Sequence, residues 1–204
     1  MRVQIIPSLL VKTEQEWLRC YRGLNNSVEQ IQIDIADGQF VPSTTWADAT
    51  EIAIELKIAC ELHLMVADPA AEMQKWASVA QVKRVIVHRE AVTSLDDILP
   101  LIKEQGWQLG MVINPETPVP AFDPFLSSLQ TVMFMGVNPG LQGQPFHPQV
   151  IGKIKEFKAK GTNLPIAIDG AVNEETLPDL IAAGVDIVCP GSAIFGNQRS
   201  PEEN

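Results

Sequence analysis

Gln30-Ile31-Gln32-Ile33-Asp34-Ile35-Ala36-Asp37-Gly38-Gln39-Phe40-Val41-Pro42 is the stretch on which the reading of the fold turns. Its first half alternates strictly. Ile31, Ile33 and Ile35 point one way, and Gln30, Gln32, Asp34 and Ala36 the other, which describes a strand with two unlike faces. The β-branched face suits packing under helices. The opposite face ends in a carboxylate, after which Asp37-Gly38 breaks the strand. In parallel α/β architectures, sites are built at the C-terminal ends of strands. Asp34 is therefore the first candidate, against the plainer reading of an Asp that caps a turn.

Outward from this stretch, short apolar runs alternate with amphipathic ones along the chain. Strands are expected at 3–7, 31–35, 60–65, 84–88, 109–113, 131–135, 165–168 and 186–189, with helices at 13–24, 48–57, 69–79, 94–105, 148–160 and 173–183. Thr13-Glu14-Gln15-Glu16 reads as a capping-box-like start, and Gly106, Gly161 and Gly184 fall where helices should stop. The segment 117–128 carries three prolines and is at best a short helix. Eight strands alternating with helices predict a (β/α)8 TIM barrel or a doubly wound sheet. The strand faces favour the barrel, and no glycine-rich dinucleotide fingerprint follows an early strand. The expected organisation is one barrel domain over 1–196 with a short tail, 197–204, too brief for a full eighth helix. The last helix is thus expected to be shortened or missing, leaving a gap that a second copy of the chain would cover.

The composition, with 204 residues, 46% hydrophobic and 20% charged, suits one soluble domain. A net charge of −10 argues against nucleic-acid and anionic membrane surfaces, but not against a phosphorylated small molecule held by backbone N–H groups. Cys20, Cys60 and Cys189 have no metal-finger or paired spacing and read as reduced core thiols of a cytoplasmic protein. No leader or membrane span is expected.

Asp34, His63 and Asp169 end three different strands and are expected to converge at the barrel mouth. Paired carboxylates can remove and return a proton on opposite faces of a carbon. With an imidazole they can also hold a divalent ion. The alternative for His63 is a hydrogen-bonded core histidine. Three glycine-containing turns, at 138–144, 169–171 and 191–195, follow the last three strands, where barrel phosphate sites are commonly built. His88 and His147 are read as structural.

Nearly the whole chain resembles the ribulose-phosphate 3-epimerase family, a (β/α)8 barrel group of the ribulose-phosphate-binding type. The matching pieces are Ile6-Pro7-Ser8-Leu9-Leu10, Asp34 to Pro42, His63-Leu64-Met65, Val87-His88-Arg89-Glu90-Ala91 and Asn114-Pro115-Glu116-Thr117-Pro118. Val137-Asn138-Pro139-Gly140, Ile168-Asp169-Gly170 and Gly191-Ser192-Ala193-Ile194-Phe195-Gly196 complete the set. The resemblance implies an isomerase of pentose-phosphate carbohydrate metabolism, interconverting D-ribulose 5-phosphate and D-xylulose 5-phosphate at C3. Asp34 and Asp169 match the family's two acid/base groups. Asp34, His63 and Asp169 match three of four ligands to a divalent metal of the zinc, iron or manganese class. Ser8 and His63 match residues that touch substrate, and Met65 and Met135 match methionines that wall the reacting centre. Gly140, Leu141, Gln142, Gly143, Gly170, Ala171, Gly191 and Ser192 match the backbone that grips phosphate.

The departures fall at the site. Gln32 replaces the fourth metal ligand, a histidine, so metal is expected to bind weakly or not at all. Ala36 replaces a third methionine and is expected to open the wall. Gln39 replaces a histidine, Gly136 a serine, and Gln142 and Ala171 replace glycines, Gln142 with an expected change in loop shape. These changes leave two other readings beside the epimerase: a related phosphosugar epimerase or isomerase with altered substrate, or a non-catalytic phosphosugar-binding barrel. An orotidine-decarboxylase type of barrel is disfavoured, because its lysine has no counterpart in Asp34-Ile35-Ala36-Asp37.

Overall fold

A computed structural model describes residues 3–24, 27–141 and 143–196. Nine strands form one all-parallel sheet: β1 (Gln4–Ile5), β2 (Ser8–Leu9), β3 (Gln30–Ala36), β4 (Ala59–Met65), β5 (Val82–His88), β6 (Gln108–Ile113), β7 (Thr131–Met135), β8 (Ile166–Asp169) and β9 (Ile187–Cys189). The sheet runs from β1 through β9 and β8 back to β2. β1 and β2 are consecutive pieces of one extended stretch, so the two ends of the sheet meet and the barrel closes. Pro7 separates them because it has no N–H for the ladder. Gln4 pairs with Ile187 on one side, while Ser8 pairs with Gln32 on the other. The Pro7 carbonyl still accepts from the Gln32 N–H at 2.8 Å.

The outer layer holds α1 (Glu14–Gly23), α2 (Ala49–Glu55), α3 (Pro69–Lys75), α4 (Leu99–Gln105), α5 (Gln149–Ala159), α6 (Leu177–Ala183) and α7 (Ser192–Phe195). The 119–128 segment is a run of 3-10 helix with Pro124 inside it. The α1 start behaves as its sequence implies. Thr13 Oγ1 accepts from the Glu16 N–H, while Glu16 Oε2 accepts from the N–H of Lys12. Two helices begin later than their periodicity suggests: α4 at Leu99 instead of Ser94, and α6 at Leu177 instead of Asn173. Pro100 and Pro178 are the reason. A proline is tolerated only in a helix's first turn, so each one fixes the start of its helix. Gly106 and Gly184 end these helices in left-handed conformation, with φ of 66° and 98°. The expectation about a shortened last helix concerns 197–204, which lie outside the described residues.

The alternation of β3 sorts the interior into two compartments. Outward residues such as Ile31, Ile33, Leu62 and Phe134 pack with Trp17, Ile52, Trp76 and Phe157 from the helical layer. Phe122, Phe134 and Phe157 meet edge to face, with centroids 5.5–6.1 Å apart. Inward residues fill the barrel. At its N-terminal end, Glu61 is wholly buried and takes Arg84 Nε at 2.8 Å together with an Arg84 Nη2 contact. Gln30 donates to the same Glu61 oxygen, and Arg84 Nη1 donates to Thr131 Oγ1. Above this layer lie Ile6, Ile86, Val112, Met133, Ala167 and Ile187.

Beyond β3, Asp37 ties two loops of the barrel mouth together. Its Oδ1 accepts from the N–H groups of Gln39 and Phe40, and its Oδ2 from that of Ala67 at 2.7 Å. Partial burial alone would raise its pKa, but these backbone bonds hold it below the ordinary carboxylate value.

Two outcomes test these packing arguments. Arg84→Met leaves Glu61 as an uncompensated buried charge and lowers unfolding free energy in urea by about 3–5 kcal/mol. Glu61→Gln in the same background recovers most of that loss. Asp37→Asn costs about 1 kcal/mol at neutral pH, at the low end for a charged acceptor because the group is near solvent. The folded-state pKa is depressed, so the wild-type advantage is fully present above about pH 4 and shrinks as pH falls through the lowered value. Urea titrations of both proteins at several pH values read this directly.

Candidate active site

The residues that β3, β4 and β8 deliver to the barrel axis form one tight group. Register pairs Asp34 with His63 across β3 and β4, and Asp169 ends β8. Gln32, Asp34, His63 and Asp169 are all buried. Gln32 Nε2 donates to Asp34 Oδ1 and to Asp169 Oδ2, each at 2.8 Å. His63 Nδ1 lies 3.0 Å from the same two oxygens. Gln32 Oε1 is buried with no hydrogen-bond partner.

The electrostatics follow from this geometry. Burial, then the neighbouring Asp169 carboxylate, pushes the Asp34 pKa up. Burial works against a charged His63, but the hydrogen bonds its Nδ1 donates to Asp169 and Asp34 overcome it and raise its pKa to about 10. The two carboxylates therefore favour the charged form of the ring between them. Its other nitrogen, Nε2, is 3.0 Å from Nε2 of His88, whose pKa burial depresses to about 4. One histidine is thus the donor and the other the acceptor. His88 Nδ1 lies 3.5 Å from Glu90 Oε2 without a formed hydrogen bond. Glu90 accepts from the Asn114 N–H and from Thr117 Oγ1. Burial alone would raise its pKa, but the neighbouring His88 ring, then Thr117 and the Asn114 N–H, bring it down to about 2.

Asp34, His63 and Asp169 each offer a ligand atom, and all three atoms lie within 4.8 Å of one another. The group could hold a divalent ion. Gln32 Nε2 lies 3.4 Å from His63 Nδ1, beside this group.

Above the carboxylates opens a small cleft. Asp34, Asp169, Ser8, Met65 and Met135 line it. So do Gly140, Leu141, Gly143, Gly170, Ala171, Gly191 and Ser192 from the three glycine turns. The structure thus brings together the residues singled out from the sequence, with two exceptions. Gln142 lies outside the described residues. His63 does not line the cleft but sits fully buried.

Some departures have structural counterparts. A Cβ on Gly136 would stand 2.2 Å from the Gly170 carbonyl oxygen and 3.0 Å from Phe146, so a serine does not fit here. Ala171 takes φ 53°, among the described residues the one non-glycine in the left-handed region. The loop keeps the shape of a glycine position at a cost of about 1 kcal/mol. Ala36 is buried against Val41 and Met65, with Leu10 and Phe40 packed on them.

Sequence reasoning did not single out the His88–Glu90 arm. The signal was available, because Arg84, Ile86 and His88 alternate along β5 as Gln32, Asp34 and Ala36 do along β3.

Comparison with known proteins agrees with this geometry. The chain is 39% identical to ribulose-phosphate 3-epimerase of Bacillus subtilis over 209 aligned residues, covering 95% of this chain and 93% of that protein. It is 30% identical to the enzyme of the same name from Schizosaccharomyces pombe, over 100% of this chain and 91% of that one. Among solved structures, 3-hexulose-6-phosphate synthase from Salmonella typhimurium superposes with a TM-score of 0.69 at 18% identity, covering 100% of this chain and 94% of that one, a likeness of fold. The model of the ribulose-phosphate 3 epimerase family matches residues 4–195, and the chain belongs to that family.

Proposed function

We propose that the protein interconverts D-ribulose 5-phosphate and D-xylulose 5-phosphate by proton transfer at C3 between two carboxylates. The observation that carries this reading is the placement of Asp34 and Asp169. They come from strands on opposite sides of β1/β2, share one bridging amide, and both line the floor of the same cleft. One takes the C3 proton from one face of the sugar and the other returns a proton to the opposite face. Each is then ready for the reverse direction.

The remaining residues support that transfer. With no cation bound, a charged His63 ring between the carboxylates offsets their mutual repulsion. A cation held by Asp34, His63 and Asp169 supplies, when bound, positive charge against the enediolate oxygens. Met65 and Met135 give the reacting carbon an apolar, water-poor wall, and Ser8 stands beside it. The backbone at Gly140–Gly143, Gly170, Ala171, Gly191 and Ser192 is the proposed phosphate grip. Cys20, Cys60 and Cys189 are buried free thiols, which fits a cytoplasmic setting. Among the described residues, no helix is long and apolar enough to cross a membrane.

Turnover of D-ribulose 5-phosphate, with chelator and with added divalent ion, tests the reading. Asp34→Asn and Asp169→Asn should each lower kcat by about 10^2–10^4-fold. In D2O, each variant should still wash the C3 proton out of one epimer and not the other, because one carboxylate survives. No conversion by the wild-type protein under any of these conditions overturns the proposal in favour of another phosphosugar or of binding alone.

A further inference from the structure

Gln32 has two chemically different ends in an environment that accepts only one of them. Asp34 Oδ1 and Asp169 Oδ2 are both acceptors, and the amide nitrogen has two N–H groups to give them. With the amide turned over, Oε1 would face two carboxylate oxygens with no proton between them. In the absence of a cation the nitrogen must therefore point inward, at the expense of Oε1, which is left buried and unpartnered.

The positions of the atoms matter as much as their chemistry. Gln32 Nε2 and His63 Nδ1 each stand within hydrogen-bonding distance of both Asp34 Oδ1 and Asp169 Oδ2, at 2.8 Å for the two Gln32 contacts and 3.0 Å for the two His63 contacts, and the nitrogens are 3.4 Å apart. Four donors around a zinc-like ion at about 2.0–2.1 Å stand roughly 3.3 Å apart. The five spacings are thus close to those of such a shell and are set by hydrogen bonds. A half-turn of the terminal amide exchanges Nε2 for Oε1 at the same position and converts the staple into a ligand. Such a set, three oxygens and the His63 nitrogen, which gives up its Nδ1 proton to solvent as the ion enters, suits a divalent ion.

We propose that Gln32 is a two-state positioning residue: its amide nitrogen bridges Asp34 and Asp169 when the site is empty, and the amide turns to offer Oε1 as the fourth ligand when a divalent cation enters. The carboxylates are then bridged in both states, by two N–H groups in one and by the ion in the other. This rests on reading Asp34, His63 and Asp169 as a cation site, and it is tested without turnover, so its failure is separate from failure of the epimerase reading.

The experiment uses the full chain labelled with 15N at glutamine side chains, stripped with chelator and titrated with Zn2+. The Gln32 amide signals are identified by their loss in Gln32→Leu. In the stripped protein both Gln32 protons should be shifted downfield and protected from solvent exchange, as expected of charge-assisted hydrogen bonds. At saturating Zn2+ they should move and lose that shift. Zn2+ affinity should fall at least tenfold in Gln32→Leu and rise at least tenfold in Gln32→His. Gln32→Glu covers the case in which the leucine variant fails to fold. It retains the oxygens but cannot donate, so Zn2+ should raise its Tm by more than it raises that of the wild type. Gln32 signals unmoved at saturation, wild-type affinity in Gln32→Leu, an equal Tm rise in Gln32→Glu, or no Zn2+ binding by the wild type at about 1 mM would each overturn the proposal.

Discussion

Two carboxylates buried within reach of one amide group repel each other, and the site depends on how that repulsion is answered. Like charges at such separations in a poorly solvated interior cost several kcal/mol unless protons or cations stand between them. Here the answer is local. Gln32 supplies two N–H groups and His63 a shared one, so each of Asp34 and Asp169 has two donors facing it. The same donors keep both oxygens aimed across the axis. Positioning and charge balance are a single arrangement.

The barrel makes this arrangement possible by stacking its inward residues in layers. The Glu61–Arg84 pair fills the N-terminal end, an apolar band follows, and the polar group sits under the mouth. A period of two along each strand fixes which residues enter each layer, and a slip of one residue would replace Gln32 and Asp34 with isoleucines. The apolar compartment between sheet and helices carries most of the buried surface and thereby pins the register. The Asp–His–Asp geometry is thus maintained by packing that touches none of its members.

Much of this was legible in the chain itself. Alternation identified Asp34 on the inward face of β3 and His63 on that of β4, and glycine turns marked the three loops of the cleft. The parts that were not legible share a cause: they depend on what a side chain meets across the barrel. Gln32 reads as a weak ligand in isolation, and its role as a donor emerges only once Asp169 arrives from β8. His88 has the right alternation, but its contact with His63 belongs to a neighbouring strand. Gly136 gave no hint that Gly170 and Phe146 close around it. Helix starts were misjudged where apolar periodicity ran on past a proline, because periodicity reports the buried face and says nothing about missing N–H groups.

The split of the first strand at Pro7 has a bearing on how the molecule forms. β1 finds its partner in β9, pairing residues 4 and 5 with 187 and 188, whereas β2 pairs with its near neighbour β3. One side of the seam can assemble early from local contacts. The other must wait until β9 exists and has docked on β8, the slow, long-range kind of pairing. On the ribosome, β1 therefore remains an unpaired edge until nearly the whole barrel has been synthesised. Shortening β1 to two residues, Gln4–Ile5, keeps that waiting edge small, which limits its capacity to pair with another chain in the meantime.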